Sequence, residues 1–289
     1  MIVLQKIILT QSACHSKEFK LLNFYAFRIM ASLFNKVVII TGANSGIGAA
    51  TALAFAKAGA RLVLAARNLE KLNNVANECS AKGLPQEKVL VKGCDVTNEE
   101  NLKGLVGSTL EKYGQIDVLV NNAGSARYVN YLETTRDVFD TTFNLNIRAP
   151  FFLTQMCTTH LQKTKGCVVN VSSLAGQRTF PIAMVYGMSK AAMDQFTKNL
   201  AIDLAKENVR VNSVNPGYIK SLEFQKRAGM TEQIYNQLIE KQKELQPLTG
   251  AVEPEEVAKV ILFLASDQSS SITGELIYVD GGRHVLMPL

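Results

Sequence analysis

From Lys36 onward, short apolar runs rich in β-branched residues alternate with longer stretches of helical periodicity. That alternation is the pattern of a parallel sheet with helices on both faces. The strand candidates are residues 37–40, 61–65, 89–91, 116–120, 168–171, 209–213 and 276–279. Residues 47–58, rich in alanine and followed by Gly59 as a C-terminal cap, read as a helix crossing between the first two. The expected fold class is therefore α/β, a doubly wound parallel sheet of about seven strands with helices on both faces. No internal repeat, low-complexity tract or Pro/Gly/Ser-rich linker interrupts residues 33–289, so one domain is expected there. Residues 222–246 are a charged helical stretch with Gly229 as a break between two short helices. They follow a strand end, where a substrate lid sits in a doubly wound sheet.

Composition changes this picture little. A hydrophobic share of 47% with 19% charged residues suits a soluble chain with a sizeable core. The net charge of +6 is spread along the sequence without a block of like charges, which argues against nucleic-acid binding. Five cysteines without a Cys-x-x-Cys pair argue against a disulfide framework and a zinc site, and fit a reducing compartment. The three histidines make no metal-binding pattern. No run of apolar residues is long enough to span a membrane. Residues 1–32 stand apart from the folded pattern. Lys6, Lys17, Lys20 and Arg28 are opposed there only by Glu18, which fits either a poorly ordered extension or an organelle leader, and Met30 is an alternative translation start. A cytoplasmic protein is expected, or a mitochondrial one if residues 1–30 act as a leader.

Thr41-Gly42-Ala43-Asn44-Ser45-Gly46-Ile47-Gly48 follows the first strand and opens the first helix. Glycines let the backbone turn sharply and approach a pyrophosphate, while the helix N-terminus offers free N–H groups and a partial positive charge. The spacing, Gly-x3-Gly-x-Gly, resembles that of the short-chain dehydrogenase/reductase family, and the resemblance runs from residue 34 through nearly the whole remaining chain. It implies a single Rossmann-type domain that binds a nicotinamide dinucleotide. By the same resemblance Asp95, with Val96 beside it, faces the adenine ring, and Asn122-Ala123-Gly124 borders the cofactor at the end of the fourth strand. Pro216, Gly217 and Ile219 contact the nicotinamide carboxamide, and Ser221 stands where the family usually has threonine.

The second strand ends in Ala66 and Arg67. An acidic residue there would bond the ribose 2′-hydroxyl of NAD, whereas the planar guanidinium of Arg67 can pair with a 2′-phosphate through two parallel bonds. Asn44 and Ser45 can add hydrogen bonds to the same phosphate. The arrangement resembles the NADP-preferring members of the family, so NADP(H) is expected to be preferred, with NAD(H) possible. A solvated arginine at a helix start is the competing reading.

Tyr186 and Lys190 lie four residues apart in a helical segment, which stacks them on one face. A free phenol has a pKa of about 10, and a neighbouring ammonium favours its ionised form. Lys190 is expected to lower the pKa of Tyr186 in this way. Ser173 stands at a strand end thirteen residues before Tyr186, where its hydroxyl can bond a substrate oxygen. The resemblance makes Ser173, Tyr186 and Lys190 the catalytic set and adds Asn146, on the long helix before the serine strand, as the holder of a proton-relay water; Asn144 is its alternative by proximity. It further implies that Ser173 polarises a carbonyl, Tyr186 exchanges its proton, and Lys190 also holds the nicotinamide ribose.

The expected function is an NADP(H)-dependent oxidoreductase acting on a carbonyl or secondary alcohol, 3-oxoacyl thioesters among the substrates compatible with the resemblance. A catalytically silent cofactor-binding sensor or scaffold would have lost one of the four residues, and none is lost. Tyr128, Tyr131, Phe180, Met184, Tyr218 and Phe224 would line an apolar substrate pocket or belong to the core. A homotetramer is implied by the resemblance, with helices 135–163 and 184–206 at one interface.

Overall fold

The computed structural model describes residues 28–221, 230–248 and 250–286. Seven strands form one parallel sheet: β1 (Val37–Thr41), β2 (Arg61–Ala66), β3 (Val89–Gly93), β4 (Val118–Asn121), β5 (Cys167–Val171), β6 (Arg210–Pro216) and β7 (Leu276–Val279). Their spatial order is β3-β2-β1-β4-β5-β6-β7, so the order reverses between β1 and β4 and opens a crevice at the carboxyl ends of those strands. This is the doubly wound α/β sheet expected from the hydrophobic pattern.

The helices are α1 (Gly46–Lys57), α2 (Leu69–Ala81), α3 (Glu99–Tyr113), α4 (Arg136–Phe143), α5 (Ala149–Thr164), α6 (Met184–Leu204), α7 (Glu232–Leu245) and α8 (Pro254–Ala265). Alternation along the strands feeds two cores. Val38, Ile40, Leu62 and Leu64 face a cluster with Phe55 of α1, Leu72 of α2 and Ile261 of α8. Val37, Ile39 and Val63 face the opposite cluster with Leu105 of α3, Leu153 of α5 and Leu204 of α6. A strand covered on both faces has no solvent side, which is why these runs are continuously apolar.

Several boundaries differ from the sequence expectation. Residues 28–33 form a short helix whose Leu33 is buried and whose Ile29 packs on the first core, so the folded body begins inside the stretch assigned to an extension. Ile116 and Asp117 precede β4, because the Asp117 carboxylate turns back to accept the Val37 N–H at 2.8 Å and the Lys36 ammonium at 3.0 Å. The strand begun at 209–213 runs on to Pro216, with Val214, Asn215 and Pro216 all buried. The expected long helix over 135–163 is divided: a π-helical segment, Asn144–Arg148, joins α4 to α5. In the lid stretch, α7 is one helix capped by the Thr231 hydroxyl; Gly229 and the first of the two expected short helices fall outside the described residues. Among the described residues no helix is long and apolar enough to cross a membrane, and no His/Cys/Asp/Glu group could hold a metal ion.

Candidate active site

The crevice between β1 and β4 is framed by main chain. Gly42 and Gly46 have φ of +65° and +53°, values that L side chains rarely adopt. At Gly48 an added Cβ would lie 2.3 Å from the Gly42 carbonyl oxygen, so the first turn of α1 can pack against the loop only without a side chain. Around Gly46, by contrast, nothing lies within 4 Å of the Cβ direction. Ser45 begins α1 without a side-chain capping bond, and no acidic residue stands in the first turn. Open amides and open space at a helix N-terminus fit a pyrophosphate. The loop is pinned from behind by Thr41, whose hydroxyl accepts from the Asn122 and Ala123 N–H groups, both at 3.0 Å. The Asn122 amide donates to the Thr41 and Gly42 carbonyls at 2.8 and 3.2 Å. Thr41 opens the glycine turn quoted for the resemblance, but its part in bracing the loop was not singled out from the sequence.

At the β2–β3 side of the crevice, Arg67 is exposed at the end of β2, next to buried Ala66. Burial of Asp95 works to raise its carboxyl pKa. Hydrogen bonds from the Thr97 hydroxyl at 2.7 Å and N–H at 2.9 Å, together with the Arg67 charge, nonetheless hold it below the ordinary value. Val96 is buried behind it. Beyond the end of β6, Gly217 donates its N–H to the Val279 carbonyl at 3.0 Å, Ile219 bridges Val252, and Ser221 donates its N–H to the Tyr235 hydroxyl at 2.6 Å. Gln246, fully buried, accepts from the Tyr218 N–H and donates to the Tyr218 carbonyl at 3.2 Å, tying this strand end to the last turn of α7.

The four expected catalytic residues converge at the carboxyl end of β5. Ser173 follows β5 and its hydroxyl caps the next turn, accepting from the Ala175 N–H at 3.1 Å. Tyr186 lies in the first turn of α6, half-buried, with the Ser173 hydroxyl in hydrogen-bonding reach. Lys190, one turn on, is 4% exposed; its ammonium donates to the Val171 carbonyl at 2.8 Å and lies 5.7 Å from the Tyr186 ring centroid. Asn146, 1% exposed, comes from the π-helical segment, not from a regular helix as expected, and this segment turns it inward. Its amide donates to the Ser125 carbonyl and Ser189 hydroxyl, and its oxygen accepts from the Ser125 N–H, all at 3.0 Å. Asn144 is exposed. Gly124 lets the group close up, since a Cβ there would sit 3.2 Å from the Asn146 oxygen and 3.4 Å from the Lys190 nitrogen.

One electrostatic expectation is reversed. Burial pushes the Tyr186 phenol up to about 12, with the Ser173 hydrogen bond pulling only partly against it. Burial also pushes the Lys190 amine down to about 8, against the Asp194 carboxylate. Desolvation penalises a phenolate and an ammonium alike, and it is the largest influence on both.

Tyr128, Tyr131, Phe180 and Met184 are exposed, not part of the core, and Tyr128 meets Phe180 edge to face at 6.4 Å. Tyr218 is half-buried, and Phe224 lies outside the described residues.

Residues 42–284 match the family model described as enoyl-(acyl carrier protein) reductase. The 3-oxoacyl-(acyl-carrier-protein) reductase of Thermotoga maritima is 41% identical over 251 residues, covering 86% of this chain and 98% of the relative. A Caenorhabditis elegans short-chain dehydrogenase/reductase of unknown function, solved with cofactor, superposes with a TM-score of 0.82 at 38% identity, over 89% of this chain and 97% of that one. The L-sorbose reductase of Gluconobacter frateurii, solved with NADPH and L-sorbose, gives a TM-score of 0.83 at 30% identity, over 89% and 99%. With the parallel sheet and the glycine turn in place, the chain belongs to the short-chain dehydrogenase/reductase family, as an oxidoreductase that moves a hydride between a nicotinamide and a carbonyl or alcohol.

Proposed function

We propose that this chain is an NADP(H)-dependent carbonyl reductase acting on an apolar ketone or thioester-linked oxo group, with Ser173, Tyr186, Lys190 and Asn146 as its catalytic residues. The observation that carries the reading is the convergence of the Ser173 hydroxyl, the Tyr186 phenol and the Lys190 ammonium at the strand ends beside the glycine turn. A bound nicotinamide would supply or take up the hydride; the remaining tasks fall to side chains. Ser173 orients and polarises the substrate oxygen. Tyr186, protonated across the physiological range with its pKa pushed up to about 12, is suited to donate a proton to a carbonyl becoming an alcohol. Lys190 would hold the ribose hydroxyls of the bound nucleotide, and Asn146 would anchor the route by which the proton is replaced.

The pyrophosphate would rest on the turn from Gly42 through Asn44, Ser45, Gly46 and Ile47 to Gly48, with Asp95, Val96, Asn122, Ala123 and Gly124 along the adenosine side. Pro216, Gly217, Ile219 and Ser221 would face the carboxamide. Exposed Arg67 beside an uncharged Ala66 supports NADP(H) over NAD(H). The exposed aromatic pair Tyr128 and Phe180, with Tyr128 acting on the Tyr186 phenol, supports an apolar substrate, with α7 as part of the lid. Exposed Phe151 and Phe152 on α5, with Phe196 of α6 5.3 Å from Phe151, support a homotetramer joined through these helices. Cys79, Cys94, Cys157 and Cys167 are free thiols, which supports a cytoplasmic site of action.

The test is direct. Purified protein with NADPH, screened against a panel of ketones and 3-oxoacyl thioesters by loss of reduced-nicotinamide absorbance, is expected to turn over at least one of them. Cofactor binding without turnover of any would favour a sensor over an enzyme.

A further inference from the structure

One helical turn beyond Lys190, Asp194 is 1% exposed. A carboxylate so deeply buried is tolerated only where hydrogen bonds satisfy it. Two side chains do so. The Asn215 amide, on β6, donates to one oxygen at 3.0 Å, and the Gln177 amide, from the turn after Ser173, donates to the other at 2.9 Å. The same Asn215 amide also donates to the Ser173 carbonyl at 3.2 Å. Gly176 leaves room for the group, since a Cβ there would lie 2.6 Å from an Asp194 oxygen and 2.9 Å from the Lys190 carbonyl carbon. The carboxylate thus stands where the serine turn, the tyrosine helix and the strand leading to Pro216 meet, and no step described above employs it.

We propose that Asp194 is a positioning residue for the reaction: its negative charge, held behind Lys190 by Asn215 and Gln177, keeps the buried ammonium protonated, while the same hydrogen bonds lock the Ser173 turn onto α6. The proposal rests on the roles given to Lys190 and Ser173 above. The charge that acts on Lys190 against its burial is that of Asp194. The surrounding charged and titratable groups are Tyr186 on the same helix, Tyr278 on β7, which senses Asp194, Arg178 and Asp280, and His284, bonded to Asp280 at 3.0 Å. None of these replaces Asp194 as the anion one turn from Lys190.

The experiment follows the titration of Lys190 by NMR in protein carrying 13C-labelled lysine, with the resonance assigned through Lys190→Arg, alongside the pH profile of kcat/KM for carbonyl reduction. In Asp194→Asn, Lys190 is expected to deprotonate about one pH unit lower, and the alkaline limb of the profile to move the same way. Removing an anion lets both the ammonium and the phenol lose protons more readily. Gln177→Lys, at an exposed position, puts a cation beside the carboxylate and is expected to produce a smaller shift of the same sign. An unmoved Lys190 titration in both folded variants would overturn the proposal and leave Asp194 a structural residue; should Asp194→Asn not fold, Gln177→Lys decides alone. Absence of carbonyl turnover by the wild type would count against the function proposed above, while the Lys190 titration would still decide the coupling.

Discussion

At the β1–α1 edge of the crevice the candidate site presents main-chain amides, whereas at the β5–α6 edge it presents side chains held in place by hydrogen bonds to distant main chain and side chains. The first edge depends on what is missing. Gly48 abuts the Gly42 carbonyl and Gly46 faces open space, so the loop works because no Cβ intrudes. The second depends on what has been buried. Lys190, Asn146 and Asp194 are each under 5% exposed and bound to partners far away in the chain. A site made of backbone is robust to its neighbours and sensitive to added atoms. A site made of buried polar groups is sensitive to every partner, because an orphaned donor or acceptor there costs its full desolvation.

The largest effect that would sharpen this contrast is expected from Tyr186→Phe. Removing the proton donor should lower turnover about a thousandfold while leaving NADPH binding nearly intact, as read by steady-state kinetics beside a cofactor titration. Comparable losses in both would mean that Tyr186 shapes the fold more than the chemistry. Next comes Gly48→Ala, which forces backbone against backbone. It should cost about 2–3 kcal/mol of stability and weaken cofactor binding, measured by denaturant unfolding with and without NADPH. A variant as stable as wild type would show that the turn has slack the distances do not suggest.

Asn146→Ala should be milder, roughly 1–3 kcal/mol, because it leaves the Ser125 N–H and carbonyl without their partner. Its turnover should fall with its stability, which separates it from Tyr186→Phe. Arg67→Ala lies on the backbone-built edge but at the surface. It is expected to raise the KM for NADPH about tenfold and to leave that for NADH unchanged, the size of one charge-assisted hydrogen bond. Equal changes for both cofactors would return Arg67 to being a solvated helix-start residue.

A further effect, read on stability and not on activity, is in the pH dependence of folding. Lys190 is pushed down to about 8 from an ordinary 10.5, so between those values the unfolded chain binds more protons than the folded one and stability rises with pH. Tyr186, raised from 10.0 to about 12, acts in the opposite sense above pH 10, where the unfolded chain is the first to lose its proton. A melting temperature that gains between pH 8 and 10 in the wild type, with the gain lost in Lys190→Met, is the expected result. An identical profile in the two proteins would remove burial as the cause.

All seven strands, the first helix and the glycine turn were legible because each is a local signal. Apolar period, cap residues and glycine spacing report on neighbours within a few positions. The proposed catalytic set was suggested for another reason, since Ser173, Tyr186 and Lys190 stand in the spacing and order of a recognisable family. What spacing did not carry was the supporting layer of Thr41, Ser125, Gln177, Asp194, Asn215 and Gln246. Each is an ordinary polar residue in the sequence and acquires a role only through a partner elsewhere in the fold. The division of the expected helix 135–163 was hidden for the same reason. Asn144–Arg148 has no proline or glycine to announce a π-helical turn, and its geometry goes with the bonds Asn146 makes to Ser125 and Ser189.

The amino-acid order by itself determined the layered α/β architecture and the glycine turn, since both follow from hydrophobic period and from where Cβ atoms are absent. The tertiary structure alone decided the protonation balance of the Tyr186 and Lys190 pair. Four-residue spacing puts a phenol and an ammonium on one helix face, but how far water is excluded from each is set by the strands and turns that close around them, and that exclusion is the largest influence on both.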